Sequence, residues 1–343
     1  MEQDLRVLCG EIDGFLSIKN YEMRKLLNIS GVTFLIIGCV YLISIPVIRK
    51  LNAIPESTFF TPTPYSKTKI VDVIRTTRLS YINEDSLLTI VDSFISNNQN
   101  ISVEVNEIIL ERSFTEINDS VVSEYFVFEP KSVENIGIFL MGNGSNIFKL
   151  IDVLSELSKR NCTKIYVLNY SGYGFSQGET SGLCQLKTNQ NFYDFVSSTD
   201  TIDFVMGHSL GSVFATRLAV DNEIESLILL SGISNINDLV KHFKSITNLF
   251  LRPYINVGKL RNSALMHSAN NVENIKIYYG NLLLVHGTND SNLPFFMAEK
   301  LLSNCPSKNK ELVAIQGGGH NSPFGKDSWE GLIHKLRLLS NKN

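Results

Sequence analysis

From Asn135 to the C-terminus, short apolar runs alternate with segments of helical periodicity, and this rhythm constrains the fold more than any other feature. Ile136–Met141, Lys164–Leu168, Ile202–Met206, Ser226–Leu230, Asn281–Val285 and Leu312–Ile315 read as strands. Between them, Ile147, Leu150, Ile151, Leu154 and Leu157 recur at helical spacing, Phe214–Val220 reads as a helix, and Trp329, Leu332, Ile333 and Leu336 form a closing stripe. Strands without a polar face must be covered on both sides, which predicts a mainly parallel sheet flanked by helices. Strand-like stretches at Glu107–Arg112 and Val121–Phe128 precede this region, and Leu87, Val91, Phe94 and Ile95 suggest a short amphipathic helix. Residues 235–275 break the rhythm with a mostly helical pattern and are expected to form a small helical cap.

Ile29–Ile48 is a second constraint. These 20 residues carry no charge, and as a helix they would span about 30 Å, the thickness of a bilayer core. Arg24 and Lys25 flank one end, Arg49 and Lys50 the other. The sequence therefore predicts a single-pass anchor, with a 1–28 tail before it and a 49–106 tether and extension after it. Three of the nine prolines, Pro55, Pro62 and Pro64, fall in Asn52–Lys67 and indicate an extended tether. The domain built on the parallel sheet is expected over 107–343. Basic residues near the anchor (Arg6, Lys19, Arg24 and Lys25 against Arg49, Lys50 and Lys67) lean slightly toward a cytoplasmic N-terminus with the domain outside. The Arg49-Lys50 pair leans the other way.

Composition excludes several classes. With 31 basic and 34 acidic residues the net charge is −3, so a nucleic-acid partner is not expected. The five cysteines are scattered without a Cys-x-x-Cys pair, so neither a zinc knuckle nor a disulfide framework is expected, and no metal or cofactor is called for.

Gly207-His208-Ser209-Leu210-Gly211 has G-x-S-x-G spacing between a predicted strand and a predicted helix. This is the context a nucleophile elbow requires, and small residues at Gly207 and Gly211 let the turn close around Ser209. A serine hydroxyl needs a base, and the base an orienting carboxylate. His208 is inside the elbow and points away from its neighbour. His320 follows Gly317-Gly318-Gly319, and Asp290 follows strand Asn281–Val285. Both loops leave the strand ends at the edge where the elbow lies, so Ser209, Asp290 and His320 are the candidate nucleophile, acid and base. Candidate oxyanion donors are the backbone N–H groups of Leu210 and of Asn143, the latter in Met141-Gly142-Asn143-Gly144. Gly142-x-Gly144 could also open a dinucleotide-binding turn, but Ile147 stands where the third glycine belongs.

These motifs, with Asn169-Tyr170-Ser171-Gly172-Tyr173-Gly174-Phe175-Ser176-x-Gly178 and Gly317–His320-Asn321, resemble the alpha/beta-hydrolase superfamily over residues 107–340. Within it they resemble the membrane-associated branch of protein depalmitoylases and serine-aminopeptidase-like hydrolases. The resemblance implies a Ser-His-Asp acyl-enzyme mechanism on esters or thioesters, those of acyl lipids included, with a serine peptidase of the aminopeptidase type or a catalytically inactive binding protein as alternatives. Three departures stand out. Met141 replaces a frequent histidine, Asn169 replaces a frequent aspartate, and Cys9 alone stands where depalmitoylases often carry a lipidated cysteine cluster.

Overall fold

The computed structural model describes residues 37–46, 60–62, 65–77, 81–118, 121–247, 249, 251–254 and 270–340. The chain divides into two compact units, residues 1–53 with 247–256, and residues 54–246 with 257–343. In the first, residues 37–46 form a helix, α1, whose Ile37, Val40, Leu42 and Ile43 are exposed. The rest of the predicted span Ile29–Ile48 lies outside the described residues. Among the described residues no helix is long and apolar enough to cross a membrane.

The second unit is built on one nine-stranded sheet. Its strands are β1 (Ile101–Val105), β2 (Ile108–Asn118), β3 (Val121–Pro130), β4 (Asn135–Leu140), β5 (Thr163–Leu168), β6 (Phe204–His208), β7 (Ser226–Leu230), β8 (Asn281–Gly287) and β9 (Lys310–Ile315). They lie in the order β1-β2-β3-β5-β4-β6-β7-β8-β9. Strands β1 to β3 pair antiparallel, and β3 meets β5 antiparallel; from β5 through β4 to β9 every pairing is parallel. The predicted parallel sheet is therefore present, extended by an antiparallel flank that begins at Ile101.

The apolar strand runs are explained by the two cores. Successive strand residues face opposite sides. Leu227 and Leu229 of β7 join one core with Val205, Phe192, Phe214 and Met297, while Ile228 and Leu230 join the other with Met206, Leu154, Phe94 and Trp329. Helices α5 (Gly182–Ser197), α6 (Gly211–Asp221) and α7 (Ile236–Ile246) contribute to the first core. Helices α2 (Lys67–Thr77), α3 (Glu84–Ile95), α4 (Ile151–Arg160) and the closing helix Lys326–Ser340 contribute to the second. Burying a large apolar side chain contributes roughly 1.5–3 kcal/mol, so both faces are needed to offset chain entropy.

Two differences from the sequence reading matter for the site. Phe60 is buried in the first core and Tyr65 packs on Phe148 and Phe175, so the end of the Pro-containing stretch is docked on the domain, not extended away from it. Residues 67–105, read as an extension, supply α2, α3 and the first strand. Of the expected cap 235–275, residues 248, 250 and 255–269 lie outside the described residues. Its ends, α7 and the short helix Asn271–Ile275, insert Ile236, Leu239, Val272 and Ile275 into the first core.

Candidate active site

Ser209 stands between β6 and α6 with φ at +52°, a left-handed conformation that costs a non-glycine residue about 1–3 kcal/mol. Its N–H donates to Leu230 O on β7 at 2.9 Å, which anchors the turn to the sheet. The flanking glycines are steric requirements. A Cβ on Gly207 would lie 2.5 Å from Gly211 O, and one on Gly211 would run into the Leu140 carbonyl. Strand β6 extends two residues beyond the predicted Ile202–Met206, through Gly207 and His208, and so delivers Ser209 directly at the sheet edge.

The loops after β8 and β9 are stitched together. Thr288 N–H donates to Ile315 O at 3.0 Å, Asn289 N–H to Gly318 O at 2.8 Å, and Gly317 N–H to Thr288 Oγ1 at 2.9 Å. This places Asp290 and His320 side by side. His320 Nε2 is 3.0 Å from Ser209 Oγ, and His320 Nδ1 is 2.8 Å from Asp290 Oδ2. Ser231 Oγ–H donates to His320 O at 2.8 Å and fixes the residue that carries the ring. The structure thus brings the three predicted residues into one hydrogen-bonded line.

Asp290 is held ionised. Burial pushes its carboxyl up, but donors from His286, His320 and the Leu293 N–H outweigh burial and hold it well below the usual carboxylate range. Its Oδ1 accepts from Asn292 N–H and Leu293 N–H, each at 2.9 Å. His286 Nε2 reaches Leu293 O at 2.7 Å and lies 3.4 Å from Asp290 Oδ2. It braces the loop that carries Asp290. His208 is buried, and its ring centroid lies 5.1 Å from that of His320. Burial, reinforced by His320, pulls its pKa down to about 3. A neutral His208 adds no cation beside His320.

The other two candidates are backbone groups. Leu210 begins the turn into α6, and Asn143 follows β4. Neither N–H donates to a backbone carbonyl among the described residues. Asn143 is held by contacts the sequence did not reveal. Its Oδ1 accepts from Thr61 N–H at 2.7 Å and from Tyr173 O–H at 3.0 Å, while its Nδ2 is 3.3 Å from Thr61 Oγ1. Tyr170 O–H donates to Met141 O at 2.5 Å. The ordering that a histidine at 141 often supplies therefore comes here from Thr61, Tyr170 and Tyr173.

Asn169 has an equally local reason. Its Nδ2 donates to Glu124 Oε2 at 2.6 Å, and the Tyr65 O–H and Phe175 N–H converge on the same oxygen at 2.7 and 2.9 Å. Glu124 and Arg112 are both fully buried, 3.8 Å apart. An aspartate at 169 would face a buried carboxylate, whereas the amide donates to it.

Ser209, His320, Asn143, Lys149, Val153 and Phe324 are among the residues lining a cavity of about 540 Å³, within the range of small-molecule sites. Among the described residues no group of three His, Cys, Asp or Glu could hold a metal ion. The arrangement can deprotonate a serine hydroxyl beside a cavity large enough for an ester.

No family model matches the chain. Among curated proteins it is similar to lysophosphatidylserine lipase ABHD12 of Gallus gallus, 28% identical over 48% of this chain and 45% of that protein. It is also similar to the WAV2 alpha/beta hydrolase domain-containing protein of Arabidopsis thaliana, 23% identical over 56% of this chain and 64% of that one. A putative esterase/lipase of Mycoplasma genitalium is 26% identical over 60% of this chain and 90% of its own length. The chain thus spans about half the length of the ABHD12 it matches. Among solved structures, mouse alpha/beta hydrolase domain-containing protein 10 superimposes with a TM-score of 0.53 at 17% identity, covering 67% of this chain and 97% of that one. Est1E of Butyrivibrio proteoclasticus does so with a TM-score of 0.51 at 18% identity, covering 66% and 96%. At such identities the likeness speaks for the fold.

Proposed function

The chain is an alpha/beta hydrolase by fold, and on that premise we propose that it is a serine hydrolase cleaving a carboxylic ester or thioester bond. The observation that carries this reading is the line Ser209 Oγ, His320 Nε2, His320 Nδ1, Asp290 Oδ2, with gaps of 3.0 and 2.8 Å, opening on the cavity. Relatives named as a lipase and a putative esterase/lipase support the same reaction class.

In the proposed cycle, neutral His320 accepts the Ser209 proton as Oγ attacks the substrate carbonyl. Asp290 holds the imidazole with its Nδ1–H inward and stabilises the imidazolium that forms. The N–H groups of Leu210 and Asn143 receive the oxyanion, an interaction whose donors are typically worth about 3–4 kcal/mol each in the transition state. Collapse expels the alcohol or thiol, protonated by His320. Water, deprotonated by His320, then attacks the acyl-enzyme and restores Ser209.

We place the enzyme at a membrane through Ile29–Ile48, on the strength of its uncharged length. An acyl-lipid ester fits that location. A panel of 4-nitrophenyl esters, acyl thioesters and monoacylglycerols of graded chain length tests the reaction. The full-length protein is expected to turn over esters or thioesters, and His320→Ala to lower kcat by about 10⁴-fold or more. Turnover undiminished in His320→Ala would end the proposal.

A further inference from the structure

The active-site cavity carries one cation that the mechanism above does not use. Lys149 ends the short 3-10 turn Ile147–Lys149, which follows the proposed oxyanion loop. The turn is fixed from both sides. Asn146 caps it by accepting from Phe148 N–H at 2.9 Å, and Leu150 N–H closes it onto Ile147 O at 2.8 Å. Ile147 and Phe148 are buried in the core, so the turn presents Lys149 to the cavity that holds Ser209 and His320.

Lys149 is half-buried, yet among the described residues it has neither an ion pair nor a hydrogen-bond partner. Other partly buried lysines of the domain do: Lys164 lies 3.2 Å from Asp200, and Lys300 lies 2.7 Å from Asp238. Among the described residues that line the cavity there is no aspartate or glutamate, and its second titratable ring, His208, is held neutral by burial. Among the described lining residues Lys149 is thus the one lysine, arginine or carboxylate side chain. Burial pulls its pKa below the ordinary lysine range, and no carboxylate pushes it back. A partly desolvated ammonium with no internal counter-ion attracts an anion that enters with the substrate.

The geometry points to Lys149 as a specificity-determining cation that selects substrates carrying an anionic group, a carboxylate or a phosphate, near the scissile ester. This rests on the serine-hydrolase reading. Lys149 does not touch the reacting carbonyl in this scheme; it positions the substrate through its charge.

Two matched substrate pairs test it on the full-length protein. The first is 1-dodecanoylglycerol against its 3-phosphate, with the anion on the leaving alcohol. The second is mono-4-nitrophenyl adipate against its methyl ester, with a carboxylate on the acyl side. In the wild type, at least one anionic member is expected to have the higher kcat/KM, and the pair that responds identifies the anion and its side of the ester. In Lys149→Met the anionic-to-neutral ratio is expected to fall at least tenfold, the range of a charge-assisted hydrogen bond. Lys149→Arg should keep most of the ratio, and Lys149→Glu should invert it. The effect should weaken with added salt.

A ratio unmoved by Lys149→Met and Lys149→Glu, in variants that melt like the wild type, overturns the inference while leaving the serine-hydrolase reading intact. Wild-type preference for both neutral members overturns it as well. If Ser209→Ala hydrolyses all four substrates like the wild type, the hydrolase reading fails and the inference falls with it.

Discussion

Single residues carry the sharpest predictions. Asn143 is proposed to act through its backbone, while its side chain is gripped by Thr61 and Tyr173. Asn143→Ala keeps the N–H but frees the loop, so kcat should fall about tenfold with little change in KM; steady-state kinetics on a 4-nitrophenyl ester would show it. Each lost hydrogen bond of this kind is worth about 1 kcal/mol. His208 yields a pH prediction. Its folded pKa is about 3, against roughly 6.5 in an unfolded chain. A depressed folded pKa means the unfolded state binds the extra proton between those values. The stability held above about pH 6.5 is therefore lost on acidification, at up to about 1.4 kcal/mol per pH unit. His208→Gln should flatten the fall in melting temperature between pH 6.5 and 4, measured by calorimetry. An unchanged slope would show that His208 is not buried in its neutral form. The turn at Ser209 and the meeting of Asp290 with His320 were legible because their demands are local: Gly207 and Gly211 fit the turn by size, and Asp290 and His320 follow apolar runs. The grip of Thr61 on Asn143 was not legible, since 82 residues separate them.

At the scale of elements, the loop 169–178 shows how a family departure can be a local consistency. It is tied to β3 through Glu124, which also faces Arg112, whose guanidinium donates to the carbonyls of Phe94, Asn97 and Gln99. This buried cluster joins the end of α3 to the sheet. Removing one partner of a buried pair costs about 3–5 kcal/mol, so Arg112→Met should lower denaturant stability by that order. Asn169→Asp should also destabilise, by setting a carboxylate against Glu124, even though aspartate is frequent at that point of the motif. Urea unfolding checks both, and a neutral Asn169→Asp would contradict the reading of this cluster. Parallel strands were legible because both of their faces are buried. Helix α5 was not, because its inward face carries Gln185, Thr188 and Asn189. Gln185 exchanges hydrogen bonds with the backbone of Ser171, and such polar positions erase an apolar stripe. Strand β1, exposed on alternate residues, lacks the apolar run that marks the central strands.

At the scale of the whole molecule, the chain joins an uncharged 20-residue run to a hydrolase-fold domain whose first elements begin well before residue 107. The proposed anchor predicts that the full chain stays with the membrane fraction through a carbonate wash, and that deleting residues 29–48 releases it. Extraction of the intact chain by carbonate would show that residues 29–48 do not anchor it. Architecture was readable in the sequence, because alternating apolar runs admit few layerings. The docking of Phe60 and Tyr65 was not, because proline spacing speaks for extension and carries no information on what an extended segment rests against. Ser209 is the proposed nucleophile, activated by His320. The most direct measurement is fluorophosphonate labelling of the full-length protein, read by intact mass and peptide mapping, in the wild type and in Ser209→Ala. One covalent adduct on Ser209 is expected in the wild type and none in the variant. A wild type that takes up no probe, or a Ser209→Ala protein labelled to the same extent, would contradict it.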